Sequence, residues 1–189
     1  TNAEIVLAPP ERYRTFWPRL WAGLIDGLVF APLSWLDTWV WQTVSEPSVL
    51  AGWFILNSLV FVGYSIALHG LFGQTIGKRL MGIQVLDISE SKLSMKQALL
   101  RDSVFLGFLV IGLAIDLPAV ASGANPYDPE SFTLSNLSIA ALISLYAFLA
   151  WFLLELVSML LNPKRRAIHD LIAGSVVVRR GSAPPNSAI

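Results

Sequence analysis

The stretch Arg19-Leu-Trp-Ala-Gly-Leu-Ile-Asp26 lies inside an apolar run from Phe16 to Trp41. It places an arginine and a carboxylate seven residues apart, and two helical turns bring both onto one helix face. The run is long enough to cross a bilayer. An ionised side chain in hydrocarbon costs about 2.5 to 3.5 kcal/mol at a helix centre, so Arg19 and Asp26 are candidate functional residues.

The composition is that of a polytopic membrane protein. Of the 189 residues, 54% are hydrophobic and 14% are charged, and the mean hydropathy is +0.61. A soluble domain has about 45–50% apolar and about 25% charged residues. Cysteine is absent, which excludes disulfides and thiol chemistry. Residues 1–15 are mostly polar and lack the features of a signal peptide, so we interpret them as a flexible lead-in.

Four apolar runs reach spanning length. They predict an all-α membrane fold, a four-transmembrane-helix bundle with spans at about 16–43, 49–72, 95–121 and 134–161. A span needs roughly 20 residues, so each run has length to spare for tilt.

The basic residues predict the orientation of the bundle. All 13 Lys and Arg residues fall before or at the start of run one, between runs two and three or at the start of run three, or after run four. The other two loops, 44–48 and 122–133, carry only acidic charges. The positive-inside rule therefore places both termini and the loop 73–94 in the cytoplasm, an N-in/C-in topology.

Two segments on the predicted cytoplasmic side have strand character. Leu80–Ile88 partly alternates and contains β-branched residues, and Gly174–Arg179 is similar. We predict that they pair as a small two-stranded β-ribbon that packs on the inner ends of the helices, because an isolated ribbon is marginal. Arg165–Ala173 has helical spacing and predicts a short interfacial helix ended by Gly174. We interpret 181–189 as a flexible tail.

Ionisable residues cluster in the predicted cytoplasmic half of the bundle. They are Arg19, Asp26, His69, Arg101, Asp102 and Glu155, whereas Asp37 and Asp116 lie near the opposite end. One interpretation is structural ion pairing, which neutralises buried charge and fixes helix register. The other is a relay that takes up and releases protons or cations. Both remain open for Asp26; ion pairing is favoured for Asp37, Asp102 and Asp116.

The remaining motifs indicate surface contacts rather than catalysis. Gly70–Lys78 has the wrong spacing for a phosphate-binding loop. We predict that basic residues outside the spans contact anionic lipid headgroups, namely Lys78, Arg79, Lys164, Arg165 and Arg166. His69 and His169 do not form a convincing metal site, and no catalytic constellation is present. We therefore predict neither an enzyme, a cofactor nor a nucleic-acid partner.

Four segments, in order, carry a resemblance to a known family. They are Arg19 to Asp26, Gly73-Gln-Thr-Ile-Gly-Lys-Arg-Leu-Met-Gly-Ile-Gln-Val, Ala98-Leu-Leu-Arg101, and Lys164-Arg-Arg-Ala-Ile-His-Asp170 with the strand that follows it. From about Arg14 to Arg179 the chain resembles the RDD family of small membrane proteins. The resemblance implies that Arg19, Asp26 and Asp170 are the arginine and two aspartates of the family name. The link 122–133 is longer than the family usually shows.

The resemblance also implies a role. The family is usually described as transporting unknown ligands, and some members are associated with sodium/proton exchange. We therefore expect transport of a cation or small solute, such as Na⁺ or H⁺, with Asp26 as the exchangeable carboxylate and Arg19 tuning it. The alternative is a non-transporting scaffold subunit of a membrane complex. The partner of Arg19 is left open between Asp26, Glu155 and Asp170.

The number of spans and the family resemblance also bear on assembly and location. Four spans without an internal repeat are few for a transporter, so a transporting form is expected to be a homo-oligomer. The expected location is the bacterial inner membrane.

Overall fold

The computed structural model describes residues 10–125 and 138–181. In chain order the elements are a 3-10 helix Pro10–Tyr13, α1 Phe16–Val29, α2 Ala31–Thr43, α3 Pro47–Phe72, α4 Ile76–Leu80, β1 Ile83–Asp87, α5 Met95–Ala121, α6 Ile139–Leu161, α7 Ile168–Ile172 and β2 Ser175–Arg179. Most of the predicted lead-in, most of the loop 122–133, the first residues of span four and most of the tail lie outside the described residues.

Three of these helices are long and apolar enough to cross a membrane. They are α3, α5 and α6, with mean hydropathies of 1.8, 2.3 and 2.1 in their most apolar windows. The chain from Glu11 to Val29 and α2 meet the same criteria only as a pair. The described residues thus confirm a mostly helical membrane protein with three candidate spans, or four if the bent pair is one span.

The first predicted span is not one helix. Helices α1 and α2 meet at Phe30 with a bend of 41°. Pro32 lies in the first turn of α2 and has no N–H to continue the hydrogen bonds of α1. Phe30 closes α1 instead through its N–H, which donates to the Gly27 carbonyl at 3.1 Å. The face that holds Arg19 and Asp26 therefore does not continue straight into α2.

The predicted ribbon is confirmed. Strands β1 and β2 pair antiparallel, from Ile83 opposite Arg179 to Asp87 opposite Ser175. Ile83, Val85 and Val177 are fully buried and pack with Ala22 of α1 and Ala98 of α5. The ribbon thus shares a core with the middle of α1 and the start of α5, which supplies the support that an isolated pair of strands lacks.

A glycine at the end of α3 allows the chain to turn back onto the ribbon. Gly73 has φ of +67°, a conformation that side-chain-bearing residues rarely adopt. A Cβ at this position would lie 2.6 Å from the Val85 carbonyl oxygen, and the Gly73 carbonyl accepts from the Val85 N–H at 2.8 Å. Gly73 therefore sets the distance between α3 and β1.

Both ends of the described chain lie beside the ribbon. Arg12 and Tyr13 each contact the Glu90 carboxylate at 2.6 Å, and Arg179 Nε donates to the Arg14 carbonyl at 3.0 Å. We call this end of the molecule, formed by the 3-10 helix, α4, α7, β1 and β2, the base.

Candidate functional site

Asp170 stands at the centre of a buried ion cluster in the base. Its carboxylate is fully buried and is contacted by Arg101 of α5 and by Arg19 of α1, the latter at 2.5 Å between Nη1 and Oδ2. The Ala167 N–H donates to Oδ2 at 3.0 Å and the Ser175 hydroxyl to Oδ1 at 3.3 Å. Burial alone would raise the pKa of Asp170, but the two guanidinium groups outweigh it and hold that pKa well below its usual range.

Asp26 belongs to a second, separate cluster. Its Oδ1 accepts from the Tyr64 hydroxyl at 2.7 Å and from the Gly77 N–H at 2.8 Å, and its Oδ2 accepts from the Thr75 hydroxyl at 2.6 Å. Tyr64 belongs to α3, and Thr75 and Gly77 belong to the start of α4. The buried carboxylate therefore ties α1, α3 and α4 together through neutral donors.

Arg19 and Asp26 share a face but not an ion pair. Seven residues of helix separate them by about 10 Å along the axis, beyond the reach needed for direct contact. Arg19 instead reaches α7, and Asp26 reaches α4. This geometry answers the question that the sequence left open, because the carboxylate beside Arg19 is Asp170.

Lys78 is half-buried, and its side chain reaches α3. Its Nζ is 2.9 Å from Nε2 of His69. The other ring nitrogen of His69, Nδ1, is 3.2 Å from the Ser65 hydroxyl. The same hydroxyl donates to Asp102 at 2.9 Å. Burial, followed by repulsion from Arg101, lowers the pKa of Lys78 to about 7. The start of α4 thus turns the side chain toward α3, and the headgroup contact of Lys78 stays a prediction.

Glu155 and His169 form the third polar contact. His169 Nδ1 lies 2.6 Å from Glu155 Oε2, and the His169 backbone N–H donates to Glu155 Oε1 at 3.0 Å. Burial and the positive charge of Arg101 lower the pKa of His169. Despite this short distance, Glu155 Oε2 is buried and has no well-aligned hydrogen-bond donor among the described residues.

Two adjoining cavities open among these groups. The first, which we call the inner cavity, has about 220 Å³ and is lined by Ser65, His69, Lys78, Arg101, Asp102, Val104, Phe105, Trp151 and His169. The second, the lateral cavity, has about 280 Å³ and extends between α1 and α6 past Arg19 and Glu155. Lys78, Arg101 and His169 line both.

A third cavity lies farther from the base, and we call it the distal cavity. It has about 610 Å³ and is lined by Phe30, Leu33, Ser34, Asp37, Thr38, Trp41, Gln42, Asn57, Phe61 and Asn125. Asp37 Oδ1 accepts from the indole N–H of Trp41 at 3.2 Å and of Trp53 at 2.7 Å. The cavity thus combines a carboxylate with amides and aromatic rings, a lining suited to a cation or a polar solute.

Aromatic rings separate the distal cavity from the other two. The ring of Phe61 lies 5.3 Å from that of Phe30 and 5.9 Å from that of Phe105, which in turn lies 6.1 Å from Phe148. Phe30 and Phe61 line the distal cavity, whereas Phe105 lines the inner cavity and both Phe105 and Phe148 line the lateral one. We call these four rings the aromatic layer.

The other basic residues predicted at the lipid surface divide between two roles. Arg79 and Lys164 are exposed, and Lys164 Nζ lies 5.6 Å from the centroid of the Tyr13 ring. Arg165 Nη1 donates to the Leu160 carbonyl at 2.8 Å at the end of α6. Arg166 Nε donates to the Ser175 carbonyl at 2.9 Å, so it secures β2.

Within residues 10–125 and 138–181, no group of three His, Asp or Glu side chains is placed to hold a metal ion. The carboxylates of Asp26, Glu155 and Asp170 each accept at least one hydrogen bond from the protein.

The uncharged residues of the site were not predicted from the sequence. Within the described part of the chain, Tyr64, Thr75 and Gly77 supply the hydrogen bonds to Asp26, and Ser65 connects His69 to Asp102. One signal was available for Thr75, because a threonine directly before a helical segment is a preferred N-cap. Tyr64 and Ser65 lie in an apolar run that gives no indication of their partners.

The fold and these buried charges define the chain as a polytopic membrane protein. It belongs to the RDD family, which it matches over residues 13–174. Over 99 residues it is 30% identical to the uncharacterized membrane protein YteJ of Bacillus subtilis (strain 168), a stretch that covers 49% of this chain and 60% of that protein. The chain thus matches less than two thirds of the length of that relative. No solved structure matches it.

Proposed function

We propose that the protein transports a small ionic or polar solute, with a cation such as Na⁺ or H⁺ as the first candidate, across a bacterial inner membrane. The observation that carries the proposal is the pair of polar cavities at different depths of one bundle, separated by a single aromatic layer. A transporter needs sites reachable from each side and a barrier between them. These are the parts that alternating access rearranges.

The distal cavity supports the entry of a cation or a polar solute. Its carboxylate, Asp37, uses Oδ1 to accept two indole N–H bonds. Asn57, Gln42 and Trp41 also line the space. A carboxylate oxygen with amides and aromatic faces is a lining that favours positive charge.

In the inner cavity the proton-exchanging group that we assign is Lys78 rather than Asp26. Asp26 is held by three donors that also hold α4, so changing its protonation would disturb the fold. Lys78 lines the cavity directly and has a pKa of about 7, so it exchanges protons near physiological pH. Asp102 supplies negative charge on the same cavity wall.

The distribution of basic residues supports an orientation with the base in the cytoplasm and both termini on that side. Because the described residues contribute at most four spans, we propose that the working unit is a homo-oligomer.

The experiment uses purified protein in liposomes that contain a pH-sensitive dye. Gradients of sodium, lithium and potassium are imposed outside, and cation-driven pH change is recorded. Phe61→Ala opens the aromatic layer and is expected to increase uncoupled flux. Phe108→Ala is the matched control, because its ring packs on Phe148 at 5.6 Å but lines none of the three cavities.

The result that would overturn transport is the absence of flux from folded wild-type protein under every imposed gradient. Equal leakage in Phe61→Ala and Phe108→Ala would remove the aromatic layer from the proposal.

The second candidate is a scaffold subunit. It is favoured by the way that both aspartate clusters fix elements of the base, Asp26 through α4 and Asp170 through α7. A scaffold predicts proteins that co-purify with the wild type and are lost when the exposed surface of the base is changed, with no flux in liposomes.

A further inference from the structure

The lateral cavity has two chemically different walls. One wall carries Arg19, Lys78 and Arg101 with Glu155, and the other carries the rings of Trp151 and Phe152. The cavity therefore presents positive charge beside an aromatic surface, at the end of the bundle that holds the base. A ligand matching both walls carries an anionic group joined to an apolar one.

Arg19 lines this space and has an unused donor among the described residues. Its side chain is 8% exposed, and its Nη1 binds Asp170. Its Nη2 is buried and has no hydrogen-bond partner among the described residues. A buried guanidinium N–H without an acceptor is unfavourable, so an oxygen from a ligand would satisfy a group that the folded chain leaves unmet.

Lys78 supplies the second cationic group. Among the described residues no carboxylate lies within 4.0 Å of its ammonium group, and its Nζ contact is with His69. The carboxylate on the cavity wall, Glu155, accepts the His169 backbone N–H at Oε1, and its Oε2 lies 2.6 Å from His169 Nδ1. An anion in the cavity would thus meet Arg19 Nη2 and Lys78 without displacing a protein ion pair.

The aromatic wall continues to the outside of the bundle. Phe152 is 50% exposed on α6, a helix apolar enough to face lipid. The volume of about 280 Å³ suits a headgroup rather than a whole lipid, whose chains would stay outside against the helices. Basic pockets between spans are a common setting for anionic headgroups.

We propose that the lateral cavity binds the phosphate-type anionic headgroup of a membrane lipid, with Arg19 Nη2 and Lys78 Nζ as its donors. This inference goes beyond the proposed function, since lipid binding requires no transport and is measured without it.

Binding is expected to depend on pH. An anion next to Lys78 favours the charged ammonium form, so affinity falls as pH rises from about 6 to about 9. The charged and titratable groups that surround Lys78 are His69 of α3, Arg19 and Asp26 of α1, Arg101 and Asp102 of α5, Glu155 of α6 and His169 of α7. Lys78→Gln removes the titrating group next to the anion and is expected to flatten the pH profile.

The test is native mass spectrometry of the full chain in a neutral detergent, titrated with phosphatidylglycerol or phosphatidylcholine. The wild type is expected to bind phosphatidylglycerol preferentially, and Lys78→Gln to bind it about fivefold more weakly. Arg79→Gln is the matched control, because Arg79 is exposed on the same helix and does not line the cavity. It is expected to bind like the wild type.

Two further arms separate the sources of the signal. Leu20→Trp fills the cavity without changing its charge and should also lose the lipid. This variant tests the cavity even if Lys78→Gln proves unstable. Glycerol phosphate presents the anion without its chains and is expected to compete poorly. The proposal is overturned if Lys78→Gln and Arg79→Gln lose the lipid equally, or if the wild type shows no preference for phosphatidylglycerol. It is also overturned if Leu20→Trp retains the lipid, or if glycerol phosphate competes fully.

Discussion

Arg19 of α1 and Asp170 of α7 are 151 residues apart in the chain, and their side chains meet at 2.5 Å. Arg101 of α5 contacts the other oxygen of the same carboxylate. One buried aspartate therefore joins the first helix, the fifth helix and the segment that leads into β2. Two arginines share a single carboxylate, so the cluster has a surplus of positive charge at that point.

Asp170→Asn should strongly destabilise the protein. It leaves two buried guanidinium groups without their counter-charge, a change that typically costs about 3 to 5 kcal/mol. The free energy of unfolding in mixed detergent micelles measures the loss. Glu11→Gln, at an exposed acid of the 3-10 helix, is the control and should change it by less than about 0.5 kcal/mol. A similarly small loss in Asp170→Asn would show that the cluster does not hold the base together.

The same carboxylate predicts sensitivity to acid. The folded-state pKa of Asp170 is depressed, so its contribution to stability is present above the unfolded-state value of about 3.9 and is lost as pH falls through the lower folded-state value. Thermal unfolding between pH 7 and pH 2 should therefore show a loss of stability below about pH 4. The loss attributable to this residue should be missing from Asp170→Asn, and an unchanged acid profile in that variant would contradict the assignment.

Asp26→Asn tests whether this carboxylate caps α4 or exchanges protons. The amide retains one acceptor oxygen, so we expect the fold to persist with α4 held more loosely, and amide exchange at Gly77 and Lys78 to become faster. Asp26→Ala should accelerate it further. If Asp26→Asn instead abolishes flux while amide exchange stays as in the wild type, Asp26 is the carboxylate that exchanges protons.

Gly77→Ala should displace α4 from α1. A Cβ at Gly77 would overlap the backbone carbonyl of Ala22, which a rigid helix cannot move aside. Loss of the contact should disturb the hydrogen bonds from Thr75 and Gly77 to Asp26, and we expect the free energy of unfolding to fall by about 1 to 3 kcal/mol. Gly107→Ala is the control, since nothing lies within 4 Å of a Cβ at that helical position. Equal stability of the two variants would contradict the close packing of α1 and α4.

Lys78 should make stability rise with pH. Its pKa is lowered from 10.5 to about 7 on folding, so between these values the unfolded chain binds the extra proton. Stability therefore increases from about pH 7 toward pH 10. Thermal unfolding across that range should show the increase in the wild type and a flatter profile in Lys78→Met, with Arg79→Met retaining the wild-type slope. A wild-type profile that falls over this range would exclude a lowered pKa.

The long apolar runs were enough to predict helices α3, α5 and α6, since hydropathy over a full span depends on composition rather than on neighbours. The alternation in Leu80–Ile88 and Gly174–Arg179 likewise predicted both strands and their pairing. The bend at Phe30 was not predicted, although Pro32 is present in the sequence. A proline in an apolar run is compatible with a kink and also with a helix that continues, so its presence alone does not predict a bend.

The sequence by itself determined that the chain is a membrane protein of the RDD family and which ionisable residues lie near the base. Only the tertiary structure decided their partners. Arg19 and Asp26 are neighbours on one helix, yet each binds an element far along the chain, because two turns of helix hold them about 10 Å apart while α4 and α7 bring donors and acceptors within 3 Å. The inward position of Lys78 depends on the same folding of α4 against α1, which local sequence does not encode.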